Sequence, residues 1–182
     1  NKKLLDEEKM RPLVDKLLTM LDKSLQSDFL NVSKELLVPL FKFTKTMGNE
    51  ATTRLLTIIT ERVLPQFDQL PLNIKEAVMQ KVADVENYAE SDELLNQIYN
   101  RVFLTFPTET SGDVPFSLIE ATLFAFIKLA RKFNSAASKL IGTTFCYTGQ
   151  PGEVEEGSNN EEANLKFKRR IEYISSITPD MI

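Results

Sequence analysis

The 182 residues are 42% hydrophobic and 26% charged, with a formal net charge of −4, proportions that suit a single compact domain or a short run of helical repeats and argue against a general nucleic-acid binder with a basic face. Histidine is absent and cysteine occurs once, at Cys146, which removes the commonest general base, the commonest metal ligand, any internal disulfide and any Cys-rich zinc site. The lone cysteine fits a reducing compartment, no apolar run reaches the length of a membrane span, and the start "NKKLLDEEKM" has neither Met nor a signal-peptide core, so the chain reads as a piece of a longer protein.

The apolar period is helical almost throughout. Pro12 suits the first turn of a helix, and Leu13, Leu17, Leu18, Leu21 and Leu25 mark its face. Ser27 or Asp28 can cap a second helix, with Phe29, Leu36, Leu37, Leu40 and Phe41 at helical spacing and Pro39 expected to kink or split it. Gly48 is expected to close that helix and Asn49 to cap the next, which runs from Glu50 to Leu64 on Leu55, Leu56, Ile59 and Val63. Pro65 and Pro71 break the pattern, and a fourth helix follows over 72–89, with Ile74, Ala77, Val78, Val82 and Val85 inward. Ser91 can cap a fifth helix carrying Leu94, Leu95, Ile98, Val102 and Phe103, and "PTETSGDVP" is a loop by its turn residues.

"VPFSLIEATLFAFIKLARKF", residues 114–133, forms the sixth helix. Ser117 and Glu120 have capping-box spacing, and Leu118, Ile119, Ala121, Leu123, Phe124, Phe126, Ile127 and Ala130 leave almost no polar face before Lys128, Arg131 and Lys132. A helix apolar all round is enclosed by neighbours, so this one is expected at the centre, against the helices before and after it. Ser135 opens a short helix ending near Gly142. Residues 148–163 hold five glutamates and no basic residue and read as a flexible acidic loop. A terminal amphipathic helix spans 164–178, with Leu165, Ile171, Ile174 and Ile177 inward and Glu161 and Glu162 by its first turn, where the dipole favours them.

The helices pair as 12–25 with 28–47, 50–64 with 72–89 and 92–105 with 116–133. Successive pairs start about 40 residues apart, the period of HEAT and armadillo hairpins. The expected fold is therefore all-α, a right-handed α-solenoid of stacked helical hairpins forming one domain over 1–182, with an irregular helical bundle as the other reading.

Few residues invite chemistry. Asp6-Glu7-Glu8 and Glu155-Glu156 face no partner base and read as solvated charge. Cys146, between Phe145 and Tyr147, has no histidine to activate it and reads as a small packing residue. Leucine-rich runs such as "DKLLTML" and "SKELLVPLF" resemble groove-binding motifs but read as core, and no phosphate-binding glycine loop occurs. "KFKRR" is the one basic cluster, in which Lys166, Lys168, Arg169 and Arg170 are either the wet face of the last helix or a site for phosphate, an acidic partner or an import receptor.

Three stretches carry a resemblance: "LLVPLFKFTKTMGNEATTRLLTIITERVLP" at 36–65, the 114–133 stretch, and "LKFKRRIEYISSI" at 165–177. The markers are Val38-Pro39-Leu40-Phe41, Glu61 with Val63-Leu64-Pro65, Phe116-Ser117 with Glu120, and Leu129 with Arg131-Lys132. In order and separation they resemble the armadillo-like C-terminal half of the apoptosis inhibitor 5 family. The resemblance implies a non-catalytic scaffold that opposes programmed cell death, without cofactor or membrane span, in the nucleus and also the cytoplasm. The partners it implies are acinus, a fibroblast growth factor and an mRNA-export helicase, with an adaptor role in nuclear mRNA processing or export as the alternative. The basic face at 166–170 is then the expected site for an acidic partner. A heptad series often claimed for the sixth helix reads Thr122, Leu129 and Ala136 here, which does not make a zipper.

Overall fold

The structure, a computed structural model, describes residues 2–44, 48–84, 92–107, 115–142 and 160–177, with side chains from residue 11 onward except at 42–49. Every element among the described residues is helical. Helix α1 is Lys2–Ser27, and α2 covers 29–44 as Phe29–Val32, a π turn at Ser33–Leu37, and Val38–Thr44. Helix α3 covers 48–69 as Gly48–Ile58, a π turn at Ile59–Val63 and a 3-10 turn at Leu64–Gln69. Helix α4 is Leu72–Ala83, and α5 covers 93–105 as Glu93–Gln97, a π turn at Ile98–Val102 and a 3-10 turn at Phe103–Thr105. Helices α6, α7 and α8 are Phe116–Lys132, Asn134–Ile141 and Glu161–Ile177.

Prolines explain two of the three π turns. Pro39 and Pro65 cannot donate to the fourth residue back, and each ring crowds that carbonyl. In both places a π turn ends two residues before the proline and widens the helix there, so the chain continues instead of splitting at Pro39. Beyond Pro65 the helix tightens and kinks at Gln66 (φ −115°, ψ 20°), and it stops at Leu70, whose backbone is extended. In α5, Leu104 holds the corresponding position, and nothing in the sequence explains that turn.

Several expected boundaries move. Helix α1 begins ten residues before Pro12, which sits exposed in its interior. Leu18, Leu21 and Leu25 are buried as expected, but Val14 takes the place of Leu13, which lies exposed, and Leu17 is only half-buried. Leu36 of α2 is likewise exposed. Asp28 begins α2 without a side-chain bond to its backbone, because its carboxylate accepts from Asn31 Nδ2 at 2.9 Å. Gly48 opens α3 instead of closing α2, which places Asn49 inside the helix. Helix α4 ends at Ala83, six residues short of expectation, with Asp84 following it in a turn, and Val85 and Ser91 lie outside the described residues.

The packing falls into two rows. Helix α3 packs against α1 on one side and α5 on the other. Helix α4 packs against α2 and, most extensively, α6. Leu55, Leu56, Ile59, Val78, Met79, Leu94, Leu95 and Phe103 are fully enclosed between the rows and form a continuous apolar core. Ion pairs tie α1 to α3 along their outer seam: Arg11–Glu50, Arg54–Asp15 at 3.0 Å and Arg62–Asp22 at 2.9 Å. These side chains are wet, so each pair contributes about 0–1 kcal/mol, and burial of the core dominates.

Helix α6 corrects the expectation of burial on all sides. Leu118, Ile119, Ala121, Thr122, Ala125, Phe126 and Leu129 face the core, whereas Phe116, Phe124 and Ile127 are 45%, 53% and 47% exposed. Lys128 lies over the Phe124 ring at 4.8 Å, so its cation rests on that outer apolar face. The expected capping box does not form. Ser117 lies inside the helix, and its hydroxyl bonds across to the Glu76 carboxylate on α4, locking the two helices together near their starts.

Candidate functional site

The basic cluster sits on α8, and how α8 is held decides what the cluster can reach. Asn160 caps the helix: its side-chain oxygen accepts from the Ala163 N–H at 3.1 Å. The expected acidic loop therefore ends sooner, since 161–163 are helical, and residues 148–159 lie outside the described residues. Gly142 closes α7 in the left-handed region, with φ 72°, and its α-carbon faces the backbone of Asn160 and Asn164 so closely that no side chain fits there. The end of α7 and the start of α8 are thus pressed together at a glycine.

Along its length α8 is anchored by Phe167, a residue that the sequence reading overlooked. Its ring lies 5.5 Å from Phe103, 6.3 Å from Phe126 and 6.5 Å from Tyr99, within a cluster where Phe103 and Phe126 stack at 5.9 Å. Such ring pairs add about 0.5–1.5 kcal/mol each beyond the area that they bury. Tyr173 and Ile174 are buried behind Phe167, and Ile171 is half-buried, whereas Leu165, expected inward, is 49% exposed. Phe167, Ile171 and Ile174 have the i, i+4, i+7 spacing of a core face, which is the signal that identifies Phe167.

The four basic residues do not form one face. Lys166, Arg169 and Arg170 line an open groove of about 860 Å³ with Leu104, Glu172, Tyr173 and Ser176. Lys168 points elsewhere and lines a separate, smaller groove with Gly142, Glu161, Asn164 and Leu165. The division follows from helical rotation of about 100° per residue, which carries Lys168 well round from Lys166 while Arg170 returns to its side.

Within the groove the cations differ. Lys166 pairs with Glu162 one turn earlier at 2.6 Å, and the hydrogen bond from the ammonium, then its charge, holds the exposed Glu162 carboxyl below its usual range. Arg170 is half-buried, and loss of solvation lowers its guanidinium below the ordinary arginine value. No carboxylate pairs with Arg169 or Arg170 among the described residues. Tyr99 lies near enough to feel the Arg170 charge, but burial outweighs it and raises the phenol.

The remaining candidates give no reaction centre to build on. A second groove, between α1 and α3, is lined by Leu18, Thr19, Asp22, Arg54, Thr57 and Glu61, and its charges are largely taken up by the seam ion pairs. Among the described residues no three Cys, Asp or Glu side chains gather to hold a metal ion, and no helix is long and apolar enough to cross a membrane. The side chains of Asp6, Glu7 and Glu8, together with Glu155, Glu156 and Cys146, lie outside the described residues. In the leucine-rich runs Leu18, Leu21, Leu37 and Phe41 are buried in the core, while Met20 and Leu36 are exposed.

Comparison with known proteins bears on the whole chain. The family described as Apoptosis inhibitory protein 5 matches residues 13–182. A relative from Dictyostelium discoideum, named Apoptosis inhibitor 5 homolog, is 24% identical over 139 residues, which are 72% of this chain and 22% of that protein. The chain therefore spans less than a quarter of that relative's length. No solved structure matches it. With the family match running through nearly every described helix, the chain belongs to the Apoptosis inhibitory protein 5 family.

Proposed function

We propose that the chain is a non-catalytic scaffold that restrains apoptosis by docking protein partners, and that the basic side of α8 is its docking site for an acidic one. The observation that carries the reading is the gathering of Lys166, Arg169 and Arg170 in one groove, with no carboxylate paired to either arginine among the described residues. Family membership supports the link to apoptosis.

In this reading the helices form a right-handed α-solenoid of stacked HEAT- or armadillo-like hairpins, a single domain over 1–182. The support is the order of packing, α1–α3–α5 in one row and α2–α4–α6 in the other, because stacked hairpins bring like helices together in just that sequence. A repeat stack offers a long, rigid surface and no preformed pocket for chemistry, which suits partner capture better than turnover. Acinus, a fibroblast growth factor and an mRNA-export helicase are the partners that the family resemblance suggests, with the nucleus as the place of action and the cytoplasm as a second site. The alternative role is an adaptor in nuclear mRNA processing or export.

Reversing Lys166, Lys168, Arg169 and Arg170 to glutamate tests the docking site. Partner capture in a pulldown falls while far-UV helicity is retained, and unchanged capture refutes the site. Steep salt dependence of RNA binding by the isolated chain favours direct RNA contact, whereas capture of protein alone favours the scaffold.

A further inference from the structure

We propose that the groove between α8 and the end of α5 recognises an acidic protein segment, one carboxylate of which pairs side-on with the Arg170 guanidinium while a neighbouring apolar side chain packs on Leu104. The inference rests on the scaffold reading and specifies what the docking site selects.

Arg170 carries the argument. It lines the groove half-buried, so it has lost part of its water, and no carboxylate among the described residues replaces that water. A guanidinium presents a planar fork of donors that fits a carboxylate two bonds at a time. A partner's carboxylate thus restores solvation that the fold has removed, which it cannot do at the exposed Lys168. The site is also rigid, because Phe167, three residues before Arg170, is held in the ring cluster with Phe103 and Phe126. Less ordering is then required on binding.

The other groove residues set polarity. All line the same groove, but helical rotation of about 100° per residue sets Lys166 and Arg170, one turn apart, well round the helix from Glu172 and Ser176. A carboxylate is drawn to the Arg170 and Lys166 side and repelled from Glu172. Half-buried Leu104 gives the groove an apolar wall for the adjoining residue of the segment. A nucleic-acid strand fits less well. Its evenly spaced phosphates meet Glu172, and the groove's aromatic residue, Tyr173, is only 9% exposed and gives no face for base stacking.

A random peptide-display selection on the full chain tests the proposal, followed by titration of the selected peptides and of oligouridine RNA. Selected peptides are expected to carry Asp or Glu beside Leu, Ile or Phe. Arg170→Gln should weaken them about tenfold or more, Arg170→Lys by less, and Lys168→Glu by under about twofold, with helicity intact. Glu172→Gln should tighten oligouridine by more than it tightens the peptides, because several phosphates of a strand meet Glu172 while the peptide carboxylate lies at Arg170. Selection without acidic residues, Arg170→Gln binding like wild type, or oligouridine binding more tightly than any peptide overturns the proposal. If reversing all four charges abolishes partner capture but Arg170→Gln leaves peptide binding unchanged, this inference fails and the docking reading stands. If the peptides depend on Arg170 but partner capture survives the fourfold reversal, the groove stands and the docking reading fails.

Discussion

Gly142 offers a test of how α8 is held, because two separate demands fall on one α-carbon. Its φ of 72° lies in the left-handed region, which costs an alanine about 1–2 kcal/mol. A β-carbon there would also lie 2.9 Å from the Asn164 nitrogen and closer still to the Asn160 carbonyl oxygen, and both are backbone atoms that cannot rotate away. The start of α8 must shift, which strains the Asn160 cap and adds about 1–2 kcal/mol. Lower entropy of the unfolded alanine chain returns about 0.5–1 kcal/mol. Gly142→Ala should therefore destabilise the fold by about 1–3 kcal/mol, read as a drop of roughly 0.5–1.5 M in urea midpoint by circular dichroism. Asparagine tolerates the left-handed region but carries the same β-carbon. Gly142→Asn should thus recover the first cost and keep the second. Wild-type stability for Gly142→Ala refutes the local geometry, and full recovery by Gly142→Asn refutes the close approach of α8.

The two sides of α6 should respond differently: Phe126→Ala costs about 3–5 kcal/mol in urea unfolding, whereas Phe124→Gln changes stability by no more than about 1 kcal/mol. Asn160→Ala should cost about 1 kcal/mol through loss of the cap, measured in the same way. A thermal-melt series against pH should show stability falling at alkaline pH. The Tyr99 phenol is raised by burial, so its contribution is complete below the unfolded value of about 10 and is lost as pH rises through the higher folded value. Tyr99→Phe should flatten that fall.

The helices were legible because apolar residues recur at helical spacing from Val14 to Ile174, and the end of α7 was legible from Gly142. What the sequence hid has physical causes. Phe124 and Ile127 are as apolar as Phe126, and periodicity cannot say whether another layer covers them, so α6 read as enclosed. Leu13 and Val14 are both apolar, so spacing alone did not show which of the two begins the buried face of α1. Two of the π turns were hidden because a proline announces a lost hydrogen bond but not how the helix absorbs it, and the third, in α5, has no proline to announce it. Lys166, Lys168, Arg169 and Arg170 were visible as a cluster, and helical rotation alone separates Lys168 from the rest. Leu104 could not be assigned to their groove, since it lies on α5, far away in the chain, and only packing through Phe103 and Phe167 brings it there.

The proposed action of this chain is docking through α8 and not chemistry. The most direct measurement is survival after a death stimulus in cells that lack the endogenous protein and carry the full-length form, either wild type or with Lys166, Arg169 and Arg170 reversed to glutamate. At equal protein levels and helicity, the account predicts protection by the wild type and its loss in the reversed form. Equal protection by both contradicts it.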